Sequence, residues 1–343
     1  MPPSHTTTPL VQVYVPTFRR PHLLQRALDS LRAQTFTQWA AEVHNDDPSD
    51  PLPSRIVSEL GDPRIRMDVH PRNLGGTATF NLFFQGSPAP FYSMLEDDNW
   101  WEPDFLRSML DAAEAHPEVV VFWANMRIWK EEVEGAFTDT GTTTWPIEDG
   151  SGPHSLMSWG RPLQSIGALH SQSALLLRSR PGDDWRTPDV PIAVVEVFRE
   201  RMFPHPLVLV NTPKAHFSLT RTTARSFDRA EWAEMQAMLA ATFVRQSVKR
   251  FPRQTETLEH LWAWAVSQKP PCTAPLLLAA LYTPAAFFFW HRESPLRLAR
   301  LLVTLFLRPR LLWRLVRSPS AHRDWWDFLD HHTAARFAES SRL

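Results

Sequence analysis

A single cysteine, Cys272, occurs in 343 residues, which excludes an intrachain disulfide and suits a reducing compartment. Charge of one sign is lacking too. Thirty-six Lys and Arg against 37 Asp and Glu leave no global field of the kind that attracts nucleic acid. The start, Met1 to Pro9, has no basic region followed by an apolar run, so no secretory signal is expected and the reading is cytoplasmic. Internal repeats and low-complexity segments are missing. What is present, 43% apolar against 21% charged residues, excludes a disordered chain and allows a full α/β domain plus an extension. Fifteen tryptophans and 31 prolines point to long, shaped loops and broad apolar surfaces.

Short apolar runs alternate with amphipathic stretches over the first 125 residues. Val11 to Val15, Trp39 to His44, Ile65 to Val69, Phe91 to Leu95 and Val119 to Trp123 read as strands. Between them, Pro21 to Gln34, Pro53 to Leu60, Thr77 to Gln85 (capped by Thr77) and Pro103 to Ala115 read as helices. Strand, helix, strand at these lengths predicts parallel pairing with right-handed crossovers, a doubly wound, mostly parallel sheet with helices on both faces. From Arg127 to Pro162 the pattern dissolves into a long loop region. Ser173 to Leu177 and Leu207 to Val210 read as strands, Val190 to Met202 as a helix. Beyond about Phe227 only helical patterns remain. The expected division is a catalytic domain over 1–226, with halves 10–125 and 126–226, and a helical extension over 227–343.

Polar residues gather at successive strand ends. Thr17 and Arg19 follow the first strand, Asp46 and Asp47 the second, Arg72 and Asn73 the third, and Glu96, Asp97 and Asp98 the fourth. Ligands of open parallel sheets bind outside those carboxyl ends, and helices that follow turn positive N-termini toward the same crevice. Asn45-Asp46-Asp47-Pro48 also makes a good turn without any ligand, and Asn73-Leu74-Gly75-Gly76 a plain loop before a helix. Three adjacent acids after a buried strand repel one another unless a cation or donors offset them. Oxygen ligands of that density suit Mg²⁺ or Mn²⁺, and such an ion implies a phosphate-bearing substrate.

These residues resemble family 2 of the glycosyltransferases. The resemblance is carried by Val13-Tyr14-Val15-Pro16-Thr17-Phe18-Arg19-Arg20-Pro21, by Asn45-Asp46-Asp47-Pro48-Ser49-Asp50, by Asn73, Gly75 and Asn81, and by Leu95-Glu96-Asp97-Asp98-Asn99. It implies a GT-A fold, a nucleoside-diphosphate sugar donor, and inverting transfer to an acceptor hydroxyl, with a carbohydrate or lipid-linked acceptor. By this resemblance Pro16, Thr17, Arg19, Asn73, Gly75, Glu96 and Asp97 belong to the donor site. Asp46 or Asp47 contacts the nucleoside. Asp98 and Glu96 flank an Mg²⁺ or Mn²⁺ ion at a DxD-like motif that departs from the pattern in its first acid. Asp189 is the implied base, with Pro188 where the family has Glu; Asp183 and Asp184 are rivals, and an N-cap role for Asp189 is the alternative. His216, Arg221 and Arg225 are implied to reach the diphosphate or its metal. Trp145, Trp159 and His170 lie where the acceptor is expected. The altered acids leave open a sugar-binding or scaffold protein that kept the fold without the chemistry. A nucleotidyltransferase would carry a glycine-rich loop after the first strand, and Thr17-Phe18-Arg19-Arg20 has no glycine.

In the extension, Pro270 to Trp290 holds no Asp, Glu, Lys or Arg but is interrupted by Pro270, Pro271, Pro275 and Pro284. Leu296 to Val316 mixes leucines with Arg297, Arg300, Arg308, Arg310 and Arg314 and no acid. Residues 270–317 therefore read either as a peripheral contact with anionic lipid at the inner face of a membrane or as a helical lid with solvated arginines.

Overall fold

Seven consecutive buried residues begin the fold: β1, Val11–Thr17, has every side chain turned into protein. The computed structural model describes residues 8–147, 150, 152–167, 171–221, 228–250 and 256–340. Helix α1 (Pro21–Arg32) starts with proline in its first turn, where a missing N–H costs nothing. It buries Leu23, Leu24, Ala27, Leu28 and Leu31, each worth about 1.5 to 3 kcal/mol on burial except the smaller alanine. Then follow β2 (Trp39–Asn45), α2 (Leu52–Leu60), β3 (Ile65–Val69), α3 (Gly76–Phe83) and β4 (Phe91–Met94). Next come β5 (Trp100–Trp101), α4 (Phe105–Ala115), β6 (Val121–Val133), β7 (Ala136–Thr143) and β8 (His154–Met157). Strand β9 (Leu175–Arg178), helix α5 (Val195–Glu200) and strand β10 (Leu207–Leu219) follow, the two strands completing the sheet.

Among the described residues these strands form one sheet of ten, ordered β3-β2-β1-β4-β9-β6-β10-β5, with β7 on β6 and β8 on β10. Pairing is parallel through β3, β2, β1 and β4, and again between β6 and β10. The expected parallel series breaks at one place. Strand β9 inserts antiparallel between β4 and β6, so the fifth predicted strand does not extend the parallel set directly. The sheet is thus mixed, with its parallel half carrying the first four predicted strand ends.

Two further expectations are corrected. The predicted loop from Arg127 to Pro162 is largely strand: β6 runs to Val133 and turns back through β7. That hairpin is mostly exposed, so its charged residues carry no apolar pattern. The predicted helix from Val190 to Met202 is helical only over Val195–Glu200. Helix α3 likewise begins at Gly76 after Gly75, which has φ 86°, a conformation that glycine adopts without steric cost; Thr77 does not cap it.

The chain divides into two compact units. One comprises Met1–Met157, His170–Asp189 and Phe203–Ala224 and holds the sheet. The other gathers Ser158–Leu169, Val190–Met202 and Arg225–Leu343. Its described residues include α6 (Arg229–Arg250), α7 (Glu256–Ser267), α8 (Ala274–Leu278), α9 (Phe287–Trp290), α10 (Pro295–Leu307), α11 (Pro309–Ala321) and α12 (Arg323–Glu339). Helix α6 is the centre, with Met238, Leu239, Phe243 and Val244 fully enclosed. Trp159, expected near an acceptor, belongs to this core, where it meets the rings of Phe243 and Phe337. No helix among the described residues is long and apolar enough to cross a membrane.

Candidate functional site

Three strand ends, those of β1, β2 and β4, bring their polar residues together at the carboxyl edge of the parallel half-sheet. The Thr17 hydroxyl donates to Asp97 Oδ2 at 2.8 Å. Arg20, just before α1, spreads a guanidinium fork over both following acids: Nη2 to Asp97 Oδ1 at 2.5 Å and Nη1 to Asp98 Oδ2 at 2.6 Å. Asp97 is wholly enclosed. Burial, reinforced by Asp98 and Glu96, outweighs Arg20 and pushes its carboxyl up to about 7. Burial works against the Arg20 charge as well, but Asp97 and Asp98 overcome it and hold the guanidinium protonated.

Glu96 takes no part in that cluster. Its Oε2 accepts from the hydroxyls of Ser171 (2.9 Å) and Ser173 (2.8 Å) and from Asn99 Nδ2 (3.2 Å). Glu96, expected to flank a metal, is thus held through Oε2 by three buried donors just before β9, while its Oε1 carries no hydrogen bond among the described residues. His216 is likewise committed. Its Nδ1 accepts the indole N–H of Trp129 at 2.9 Å, so the proton sits on Nε2, 3.1 Å from Glu102 Oε1. The ring is also stacked on Trp100.

The acidic turn after β2 splits its two predicted roles. Asp46 receives His70 Nδ1 and the backbone N–H of Leu74 on Oδ1, and the N–H of Gly75 on Oδ2, at 2.7 to 2.9 Å. Asn73 Nδ2 donates in turn to the Asp46 carbonyl. Asp46 therefore shapes the Asn73–Gly75 turn ahead of α3, with a single donor on its Oδ2. Asp47 is the more available acid. Its Oδ1 holds the hydroxyl and N–H of Ser49, and Oδ2 pairs with Arg19 at 2.6 Å. The Ser49 hydroxyl first, then Arg19, hold the Asp47 carboxyl down at about 2. Arg19 has φ 56°, a left-handed conformation that costs a side-chain-bearing residue about 1 to 2 kcal/mol. Its side chain is 68% exposed. Pro16 lies buried within β1.

Arginine 26, unremarked in the sequence, closes the other side. Its Nη2 donates to the Asp98 carbonyl at 2.7 Å, while the guanidinium lies 3.8 Å from the Trp100 ring centre and 4.0 Å from that of Phe137. Burial lowers it to about 10, leaving it charged at neutral pH. Ser218 at the end of β10 also donates to the Asp98 carbonyl. The backbone of Asp98 is thereby fixed, while its Oδ1 carries no hydrogen bond among the described residues. No group of three or more His, Cys, Asp or Glu there is placed to hold a metal alone. A hard ion held by Asp98 would need its other oxygens from a bound substrate, an arrangement usual for Mg²⁺.

Asp189 lies exposed in a bend, six residues ahead of α5, and its carboxylate has no partner among the described residues. It does not cap that helix, whose N-cap is Val194. Its loop is tethered instead: Asn81 on α3 donates to the Thr187 carbonyl at 2.8 Å and accepts the Thr187 N–H at 3.0 Å. The rivals are elsewhere. Asp183 and Asp184 follow β9, whose antiparallel course puts them at the amino edge of the parallel strands. Asp183 lines an open groove of about 440 Å³ with Gln85–Pro88, and Asp184 is locked by Arg186. Arg221 is exposed, with its N–H on Glu131. The backbone of Trp145 is held by Asn125. His170 and Arg225 lie outside the described residues.

Residues 12–151 match the family described as Glycosyl transferase family 2. The succinoglycan biosynthesis protein ExoO of Rhizobium meliloti is 28% identical over 114 residues, 33% of this chain and 32% of that one. A UDP-Glc:alpha-D-GlcNAc-diphosphoundecaprenol beta-1,3-glucosyltransferase, WfgD, of Escherichia coli is 25% identical over 92 residues, 27% of this chain and 36% of its own. The chain spans 13 to 45% of the length of the curated relatives it matches. The crystal structure of TarS 1–349 from S. aureus, in complex with UDP, superposes with a TM-score of 0.52 at 14% identity, over 97% of this chain and 90% of that one. That likeness establishes a GT-A-like fold with a C-terminal helical region.

Proposed function

We propose that this chain, whose residues 12–151 belong to glycosyl transferase family 2, moves a sugar from a nucleoside-diphosphate sugar to an acceptor hydroxyl. The observation that carries the proposal is the convergence of Thr17, Arg20, Asp97 and Asp98 at the sheet's carboxyl edge. Beside it stands the turn that Asp46 orders ahead of α3. Oriented amides at a helix start suit a diphosphate, and Asp47, paired with the exposed Arg19, is the acid offered to the nucleoside.

Asp98, with one unoccupied carboxylate oxygen and oxygen-only chemistry, fits Mg²⁺ or Mn²⁺ completed by the donor's phosphates. Such an ion supplies charge that offsets the departing diphosphate. The chain's own groups do the rest. Arg20 and Thr17 hold Asp97 and Asp98 in place, and Arg26 fixes the Asp98 backbone. Asp189, exposed and unpartnered on a loop clamped by Asn81, is the base. As the acceptor oxygen bonds to the anomeric carbon, the bond from that carbon to the diphosphate oxygen breaks. The hydroxyl proton passes to the Asp189 carboxylate. A single displacement inverts the anomeric centre. The acceptor is a carbohydrate or lipid-linked hydroxyl.

Release of nucleoside diphosphate from a panel of nucleotide sugars with Mn²⁺, read together with donor calorimetry, tests this. Asp189→Asn is expected to cut turnover by about 10²- to 10⁴-fold with donor affinity retained, and Asp98→Asn to erase the gain in affinity from Mn²⁺. Unchanged turnover removes Asp189 from the mechanism. Equal affinity with and without Mn²⁺ in the native protein removes Asp98 as a metal ligand. Donor binding without any transfer supports a sugar-binding protein instead, the rival that Arg20's hold on both acids favours.

A further inference from the structure

The second unit shows an outward face that its own fold leaves uncovered. Helices α10 and α11 turn Leu305 and Leu315 inward against Ala237 of α6 and Leu278 of α8, with Leu301 and Leu311 alongside. That accounts for one side of each helix. The opposite side is apolar as well: Leu296 and Phe306 are 82% exposed, Leu307 70%, Val316 64%, Trp313 60% and Val303 54%. A large apolar patch on a folded surface marks an interaction site.

Charge identifies the partner. Between Ser294 and Arg323 there are six arginines and no acid, and the first of them, Arg297, faces Glu293 at 3.8 Å. Arg314 is spent on Asp228, Glu231 and Glu234 of the same unit. Arg300, Arg308 and Arg310 have no carboxylate partner among the described residues, and Arg317 lies over the Trp313 ring, 4.9 Å from its centre. A second copy brought face to face would set these arginines against one another. An anionic lipid surface offers the opposite: phosphates for the guanidinium groups at the level where tryptophan settles, and acyl chains for the leucines and phenylalanine. Each helix has 13 residues, about 20 Å, well short of a hydrocarbon core of about 30 Å. The pair lies along the interface and does not cross it.

We infer that the α10–α11 face docks this protein on an anionic membrane, independently of whether the first unit transfers sugar. Flotation of the full chain tests this, using phosphatidylcholine vesicles with and without about one-third phosphatidylglycerol. The protein is expected to float with the anionic vesicles only, and to be released as salt rises. Replacing arginines should weaken partitioning about fivefold each, so Arg300→Gln with Arg310→Gln loses about 25-fold. Phe306→Ser with Trp313→Ser should also lose flotation while melting as the parent does, since both side chains point outward. The inference fails if the native chain stays in the lipid-free fraction at low salt, or if the Phe306/Trp313 pair floats unchanged. It fails too if light scattering shows a dimer that Phe306→Ser dissolves while no vesicles are bound.

Discussion

Replacing Arg20 by methionine should unsettle the acidic turn more than any surface substitution. Asp97 is fully enclosed, and the side chain of Arg20 is 21% exposed. The guanidinium makes two charged hydrogen bonds, at 2.5 and 2.6 Å. Methionine keeps much of the aliphatic volume but leaves Asp97 with the Thr17 hydroxyl alone. Removing one partner of a buried ion pair costs about 3 to 5 kcal/mol, because the remaining charge is stranded. Asp98, partly open to solvent, can hydrate and adds little, so the expected loss is about 3 kcal/mol at about pH 9, where Asp97 is ionised in the parent, and it shrinks toward pH 7, where the stranded carboxylate takes up a proton. Asp97→Asn alone removes one charged hydrogen bond and should cost about 2 kcal/mol. In the double variant an amide oxygen still accepts from Thr17 and no charge is stranded. The combined loss should therefore fall short of the sum by about 2 kcal/mol. Urea unfolding of the four proteins gives these differences directly, with Arg20→Met lowering the midpoint by about 1 M. Strictly additive losses, or an Arg20→Met midpoint equal to the parent's, would refute the claim that Arg20 compensates the buried acid.

Asp46→Ala strands three donors, His70 Nδ1 and the amides of Leu74 and Gly75, and should cost about 3 kcal/mol in urea unfolding. It should also weaken nucleoside diphosphate binding, and a variant that binds as tightly as the parent would show that the turn ahead of α3 does not face the donor. In the second unit, burial first, then His331 and Arg336, hold His332 down at about 4, against about 6.5 in an unfolded chain. Below pH 6.5 the unfolded chain takes up the proton first, so the stability this ring contributes is complete above 6.5 and declines as the pH falls toward 4. Because the ring is only partly enclosed, solvent reduces the effect to about 1 kcal/mol. His332→Phe should melt with a shallower pH dependence between pH 7 and 5, and an identical slope would assign the dependence to other groups.

How much of this was legible in the sequence depended on what each segment buries. The run β1–α1–β2 could be read because its apolar residues face one core and the turn after β2 is marked by Asn45–Pro48. Strand β6 beyond Arg127 could not. There Arg127, Lys130, Glu131 and Glu132 sit in a largely exposed hairpin, where no burial imposes alternation. The opposite error arose at Val190–Val194, where an apolar stretch imitates a helix that starts only at Val195. The antiparallel insertion of β9 left no local trace either, because Leu175–Leu177 would be equally apolar in both directions.

The acids themselves were found, and their partners were not, for a related reason. Crowded carboxylates after Leu95 require positive charge or donors, and that requirement is local enough to read. What meets it is not local. Arg20 comes from 77 and 78 positions earlier, and Ser171 and Ser173 from 75 and 77 positions later. Those two serines draw Glu96 away, and Arg20 supplies one of the cations that the turn demands. A motif of adjacent acids therefore specifies how much charge must be offset without specifying what offsets it. Here the chain answers part of that demand itself. The part left over resides at Asp98, whose Oδ1 carries no hydrogen bond among the described residues and on which the proposed substrate-borne cation would act.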